Sequence, residues 1–232
     1  MSRAPRVLIG FERSGVFRTA FRQRGFDAWS CDLVPADDDS PHHFTGDAFE
    51  VLKQDWDLAI LHPSCTRLTN AGARWLTKPP PGKTLDEMWD ALMDGAADFR
   101  RCLEQDHIPL LAVENPVMHK HARALISEPQ DPSRAGRIDG RPSFTVQPWQ
   151  FATGDAENGP DNVKKRTCFW TRGLPPLLPT GPLDGSTARP DVHHAPPGPD
   201  RARLRAQSFP GMALAASIQW GAVLRKHMED KS

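Results

Sequence analysis

The sequence predicts an α/β fold with a mostly parallel central sheet flanked by helices, and three observations predict it. Short apolar runs at residues 6–11, 58–61 and 110–113 read as buried strands. Between the first run and the next strand lies a glycine turn followed by a helical pattern, the first half of a βαβ unit. Finally, the second and third runs each end in a reactive group, Cys65 just past Pro63 and Glu114 directly after Val113. In open α/β sheets chemistry gathers at the carboxyl ends of the strands, which is where both groups would stand.

In chain order, Arg6 to Phe11 forms the first strand, and Glu12-Arg13-Ser14-Gly15 turns with Ser14 as the expected cap. Val16 to Gln23 is a helix with Val16, Phe17, Ala20 and Phe21 facing inward, and Phe26 to Ser30 is the second strand, closed by Cys31-Asp32-Leu33. In such a unit the helix N-terminus and turn meet a ligand while the acid accepts from ribose hydroxyls; lacking a full Gly-x-Gly-x-x-Gly, the turn fits an ordinary α/β connection equally well. Pro35 to His43 is an acidic loop, and Ala48 to Lys53 a helical turn. After the central strand, residues 67–83 read as a long, mobile loop beside the thiol, a length usually functional. Thr84 with Glu87 forms a capping-box pattern for a helix whose apolar stripe runs through Leu85, Met88, Trp89, Leu92, Ala96, Phe99 and Leu103. Val117 to Leu125 is a short helix, Val146 to Phe151 a strand, and Thr167 to Trp170 an apolar strand entered through the basic Lys164-Lys165-Arg166. Gly173 to Pro199 is too rich in proline for regular structure, and Met212 to His227 closes the chain as an amphipathic helix.

Composition narrows the classes. A chain of 232 residues fits one domain, or one with a small appendage, and no apolar stretch approaches the roughly 20 residues of a membrane span. With 29 basic and 29 acidic residues, overall charge gives no support for nucleic-acid binding, so any such surface must come from local clustering. The four cysteines are scattered, with no Cys-x-x-Cys pair. Cys31, Cys102 and Cys168 sit in apolar contexts, and Cys65 is the exception. His119 and His121 stand two apart on the expected helix, where side chains diverge, so no metal is expected. The absence of a signal-peptide core leads us to expect a cytoplasmic protein, a monomer or weak dimer.

At this point the chain resembles the C5-cytosine DNA methyltransferases, in a small, phage- or prophage-type form, over almost its whole length and with the blocks in the family's order. Phe11, Glu12, Ser14 and Gly15 look like the cofactor turn, Asp32 like the acid for the cofactor ribose, and Asp47 like the acid near its adenine. Asp57 to Gly72 is similar to the block with the catalytic Pro-Cys, contributing Pro63 and Cys65. Glu114-Asn115-Pro116 looks like the Glu-Asn-Val block, and Lys164-Lys165-Arg166 resembles the Gln-x-Arg-x-Arg block. The resemblance implies a Rossmann-like S-adenosylmethionine-dependent methyltransferase fold, with residues 1–170 as catalytic core, 171–207 in place of a target-recognition domain, and 208–232 as a helix returning to the core.

It also implies a reaction. Cys65 attacks C6 of a flipped-out cytosine, Glu114 holds a proton against N3, which requires a raised pKa, and Arg166 grips the base carbonyl. Arg67, Asn70, Arg74, Arg137 and Lys164 are the expected nucleic-acid contacts, with duplex DNA as the first partner and single-stranded DNA or a nucleotide as alternatives. The chain departs from the family in having Ser64 before the nucleophile instead of proline, Arg13 in the turn instead of glycine, and only Thr171 to Gln207 for target recognition. These departures keep open a modified cofactor that donates a group other than methyl, and a non-catalytic DNA- or cofactor-binding relative.

Overall fold

Strands covered on both faces need apolar residues at successive positions, and the central strands have them. In a computed structural model, which describes residues 3–128, 138–192, 194, 198 and 206–231, β1 (Arg6–Gly10), β2 (Asp27–Asp32), β3 (His43–Thr45), β4 (Leu58–Leu61), β5 (Leu110–Pro116), β6 (Phe144–Val146) and β7 (Thr167–Arg172) form one sheet. Its order is β3-β2-β1-β4-β5-β7-β6. The first five strands pair in parallel, and β7 runs against both of its neighbours.

The helices are α1 (Val16–Arg22), α2 (Ala48–Val51), α3 (Asn70–Ala73), α4 (Leu85–Leu103), α5 (Lys120–Ser127) and α6 (Pro210–Glu229). Alternate strand residues divide between two cores. Val7, Ile9, Leu58, Ile60, Leu110 and Ala112 pack with Phe17 and Phe21 of α1 and Trp220 of α6. Leu8, Ala59, Leu61, Leu111 and Val113 pack on the other face with Leu92 and Phe99 of α4 and Ile126 of α5. The same alternation places His62 and Glu114, just beyond Ile60 and Ala112, on the α1/α6 face.

Several boundaries differ from the sequence expectation. The strand expected at 146–151 is β6, two residues earlier, because Pro148 cannot donate to a ladder and opens a 3₁₀ turn, Pro148–Phe151, instead. Ser14 does not cap α1: Gly15 is the cap residue, at φ 69°, and Ser14 Oγ lies 3.4 Å from the Val16 amide. Residues 67–83 are not an open loop, since Leu68 and Leu76 are buried and α3 leads into a 3₁₀ turn at Arg74–Leu76. The α4 capping box is present and its stripe packs as far as Leu103, with buried Cys102 added to it, but Leu85 is 44% exposed. α5 starts three residues later than expected, where His119 Nδ1 accepts from the Ala122 amide.

The start of the proline-rich segment, at Pro175 and Leu178, lies along α6. Trp220 Nε1 donates to the Pro175 carbonyl at 3.0 Å, and Leu178 exchanges two 2.8 Å hydrogen bonds with Gln219. Among the described residues no helix is long and apolar enough to cross a membrane.

Candidate active site

The site is built at the carboxyl ends of β1, β2, β4 and β5. At β1 the chain leaves through Phe11, a non-glycine residue at φ 59°, a backbone state that persists only where the surroundings hold it. Glu12 is buried, and its Oε1 accepts from Ser14 Oγ and the Phe17 amide, both at 3.0 Å. Its Oε2 is also buried and has no partner among the described residues. Arg13, where the resembled family has glycine, binds Asp37 through Nε at 2.8 Å and accepts the Asp37 amide on its carbonyl at 2.9 Å. Arg18, fully buried, donates to Ser30 Oγ at 2.6 Å and pairs with Asp38. Two arginines thus tie the acidic loop down over the turn. Asp32 ends β2, and its carbonyl accepts the Gly46 amide at 2.8 Å, which sets exposed Asp47 nearby as the cap of α2.

Beyond β4, residues 62–69 run beside residues 114–119 and are bonded to them along the way. His62 Nδ1 meets Glu114 Oε2 at 3.3 Å, and Asn115 Nδ2 donates to the Pro63 carbonyl at 3.3 Å. His119 Nε2 meets the Arg67 carbonyl at 2.9 Å, its amide donates to the Leu68 carbonyl at 3.0 Å, and Thr69 bridges to Met118. Cys65 lies between the Pro63 and Arg67 contacts, its carbonyl accepting the Leu68 and Thr69 amides at 3.1 and 3.3 Å. It is the one half-buried cysteine of the four. Burial pushes the Cys31 thiol up to about 11, and raises Cys102 and Cys168 as well, so none of those three supplies a thiolate near neutral pH.

Successive residues entering β7 face opposite ways, and this separates Arg166 from Glu114. Lys165 and Thr167 line a cavity of about 20 Å³ together with His62, Glu114 and Phe209. Arg166 and Trp170 line a different cavity of about 630 Å³, shared with Asn70, His119, Lys120 and Arg123. That larger cavity has no carboxylate in its wall. The cation beside Glu114 is therefore Lys165, whose Nζ also donates to the Gln207 carbonyl at 3.2 Å. Of the other expected nucleic-acid contacts, Arg74 lies over the Trp75 ring at 4.1 Å, exposed Lys164 donates its amide to the Arg189 carbonyl at 2.8 Å, and Arg67 is half-buried. Arg137 lies outside the described residues.

The raised pKa expected of Glu114 is not found. Burial pushes its carboxyl up, but the hydrogen bond to His62 and the charges of Lys165 and His62 outweigh that, and the pKa lies below the ordinary carboxylate value. His119 is lowered by burial against the upward pull of its bond to Arg67 and is held neutral, with Nε2–H donating and Nδ1 accepting.

Neither the protein-family models nor the curated proteins include a match to this sequence. Among solved structures, the bifunctional kinase-methyltransferase WbdD is similar at 18% identity and TM-score 0.36, over 72% of this chain and 35% of that one. A triple mutant of Spodoptera frugiperda DNMT2 is similar at 11% identity and TM-score 0.35, over 79% of this chain and 57% of that one. The chain thus spans about a third of the length of WbdD. The strand order with its single stretch of reversed pairing carries the assignment. The fold is Rossmann-like.

Sequence reasoning missed His62 and Lys165. The only signal for His62 was its position directly after an apolar strand; Lys165 could be chosen over Arg166 only with the parity of β7 in hand.

Proposed function

We propose that the chain is an S-adenosylmethionine-dependent methyltransferase acting at C5 of cytosine in DNA through a covalent Cys65 adduct. The observation that carries this reading is the bracing of residues 62–69 against 114–119, which holds the half-buried thiol's loop to the strand end bearing Glu114. The turn from Phe11 to Gly15, with Asp32 and Asp47, is suited to the cofactor: the unpartnered Glu12 Oε2 is a buried carboxylate oxygen matched to a cationic, amine-bearing ligand. When bound, S-adenosylmethionine supplies an electrophilic methyl group to C5.

The chain's own residues do the rest. The Cys65 thiolate adds to C6, and the electron pair displaced into the ring is met by a proton passing from Glu114 to N3. Loss of the C5 proton to solvent and cleavage of the sulfur–carbon bond then restore Cys65, and N3 returns its proton. Lys120, Arg123 and Arg166, in a wall without acids, suit a phosphate backbone or a base carbonyl. A base can reach these groups only when flipped out of the stack.

The packing of Pro175 and Leu178 on α6 favours a second reading, in which the substrate is single-stranded DNA or a nucleotide, because that part of the segment does not project as a recognition surface. Transfer of labelled methyl groups to duplex, single strand and mononucleotide separates the two. Duplex activity should fall steeply with salt and mononucleotide activity should not. Cys65→Ser is expected to lower transfer about a thousandfold or more; full activity in that variant, or no transfer by the wild type to any of the three, would overturn the proposal.

A further inference from the structure

The cavity of about 630 Å³ falls in the size range of small-molecule pockets, whereas the one beside Glu114, of about 20 Å³, has room only for a water. Lys120, Arg123 and Arg166 stand exposed in the wall of the larger one, and none of the three belongs to an ion pair among the described residues. His119 and Lys120 open α5 in the same wall, so the positive end of that helix adds to the three charges. Cations gathered without an acid repel one another, and an anion between them relieves that repulsion.

The neutral part of the wall narrows the anion. Trp170 is 4% exposed, its ring lies 4.9 Å from that of Phe99, and its buried Nε1 has no acceptor among the described residues. A buried N–H left unpaired is costly, and an acceptor-rich ligand removes the cost. Asn70 and Gln147 add amides, which read the edge of a base, and Met118 and Val146 add apolar surface for its face. Donors for an anion, amides for an edge and an apolar wall together describe one nucleotide. The pocket adjoins the thiol's loop, because Asn70 opens α3 where that loop ends and His119 meets the Arg67 carbonyl at 2.9 Å.

We infer that this cavity is a second nucleotide site, which takes one unpaired nucleotide by its phosphate and its base. Its place beside the Cys65 loop makes the occupant the neighbour of the target nucleotide on the same strand; that identification rests on the proposed function. A strand bound this way is open at two successive positions. The preference for the neighbouring base is then set by Asn70 and Gln147, within the core.

Calorimetric titration of the free protein with a 5′-phosphorylated single-stranded trinucleotide, cytosine flanked by thymines, tests the inference without turnover. An abasic site at one flank should weaken binding about tenfold, and at the other by less than about twofold, since one neighbour alone reaches the cavity. Arg123→Ala should weaken binding about tenfold and lower the slope of its salt dependence by about one. Trp170→Phe, which keeps a ring against Phe99 but removes the N–H, should weaken it about fivefold. Thymidine 5′-monophosphate and inorganic phosphate are titrated in parallel. If both abasic sites leave the trinucleotide unaffected while both variants weaken thymidine 5′-monophosphate, the site stands with a free nucleotide as its occupant. Affinities for trinucleotide and mononucleotide within about twofold of wild type in both variants overturn the inference, as does inorganic phosphate binding as tightly as the nucleotide. Weakened binding in both variants of a protein that transfers no methyl group sinks the proposed function but not the site. Intact transfer with unchanged binding sinks the site alone.

Discussion

Arg18 is a cation with almost no exposure, held by Ser30 Oγ and by Asp38 from the acidic loop. Removing the acid strands a buried charge, whereas removing the arginine leaves only a half-exposed carboxylate. Asp38→Ala should therefore destabilise the protein, by about 1 kcal/mol after allowance for solvent screening, and Arg18→Met by less; urea unfolding of both variants measures the order. His119 gives a pH dependence. Its folded pKa is lowered, so the folded state binds fewer protons than the unfolded chain, and its contribution is complete above the ordinary value of 6.5 and lost as pH falls through the folded one. Glu114 and Asp38, both lowered, act the same way in the carboxylate range. The melting temperature should fall between pH 7 and pH 5, and His119→Asn, which keeps a capping acceptor, should flatten that fall. At this scale Cys65 and Glu114 were legible because two reactive groups stood at the ends of apolar runs. His62 was not, because a single histidine beside a proline carries no pattern until its partner is in view.

Among the elements, α6 shows how closely the last part of the chain must dock. A β-carbon on Gly211 would come within 2.0 Å of the Phe151 carbonyl oxygen, and the Gly211 amide is held by buried Asp161 at 3.0 Å. Gly211→Ala should cost about 3 kcal/mol, seen as a lower urea midpoint, because the atom it meets is backbone and cannot swing aside. The parallel strands β1, β4 and β5 were legible in the sequence as unbroken apolar runs, and α4 from its capping box. The reversal of β7 and its insertion between β5 and β6 were not, because strand pairing is a long-range property that residues 144–172 do not encode locally. The same register decides that Lys165, not Arg166, lies beside Glu114.

For the whole molecule, the sheet brings a strained turn, a half-buried thiol and a part-buried acid–imidazole pair to the carboxyl ends of its strands, with a carboxylate-free cavity beside them. Charge balanced over 29 basic and 29 acidic residues conceals that local asymmetry, which is why composition alone could not point to a nucleic-acid surface. A Rossmann-like core, however, admits many reactions, and what distinguishes the proposed one is a bond between the sulfur of Cys65 and a pyrimidine. Incubation with S-adenosylmethionine and an oligonucleotide containing 5-fluorocytosine measures this most directly, because a C5 fluorine cannot leave as a proton and the adduct persists. The expected result is a denaturation-resistant complex whose cross-linked peptide contains Cys65, absent in Cys65→Ser. A complex formed through another residue, or none on duplex, single strand or nucleotide, would contradict it.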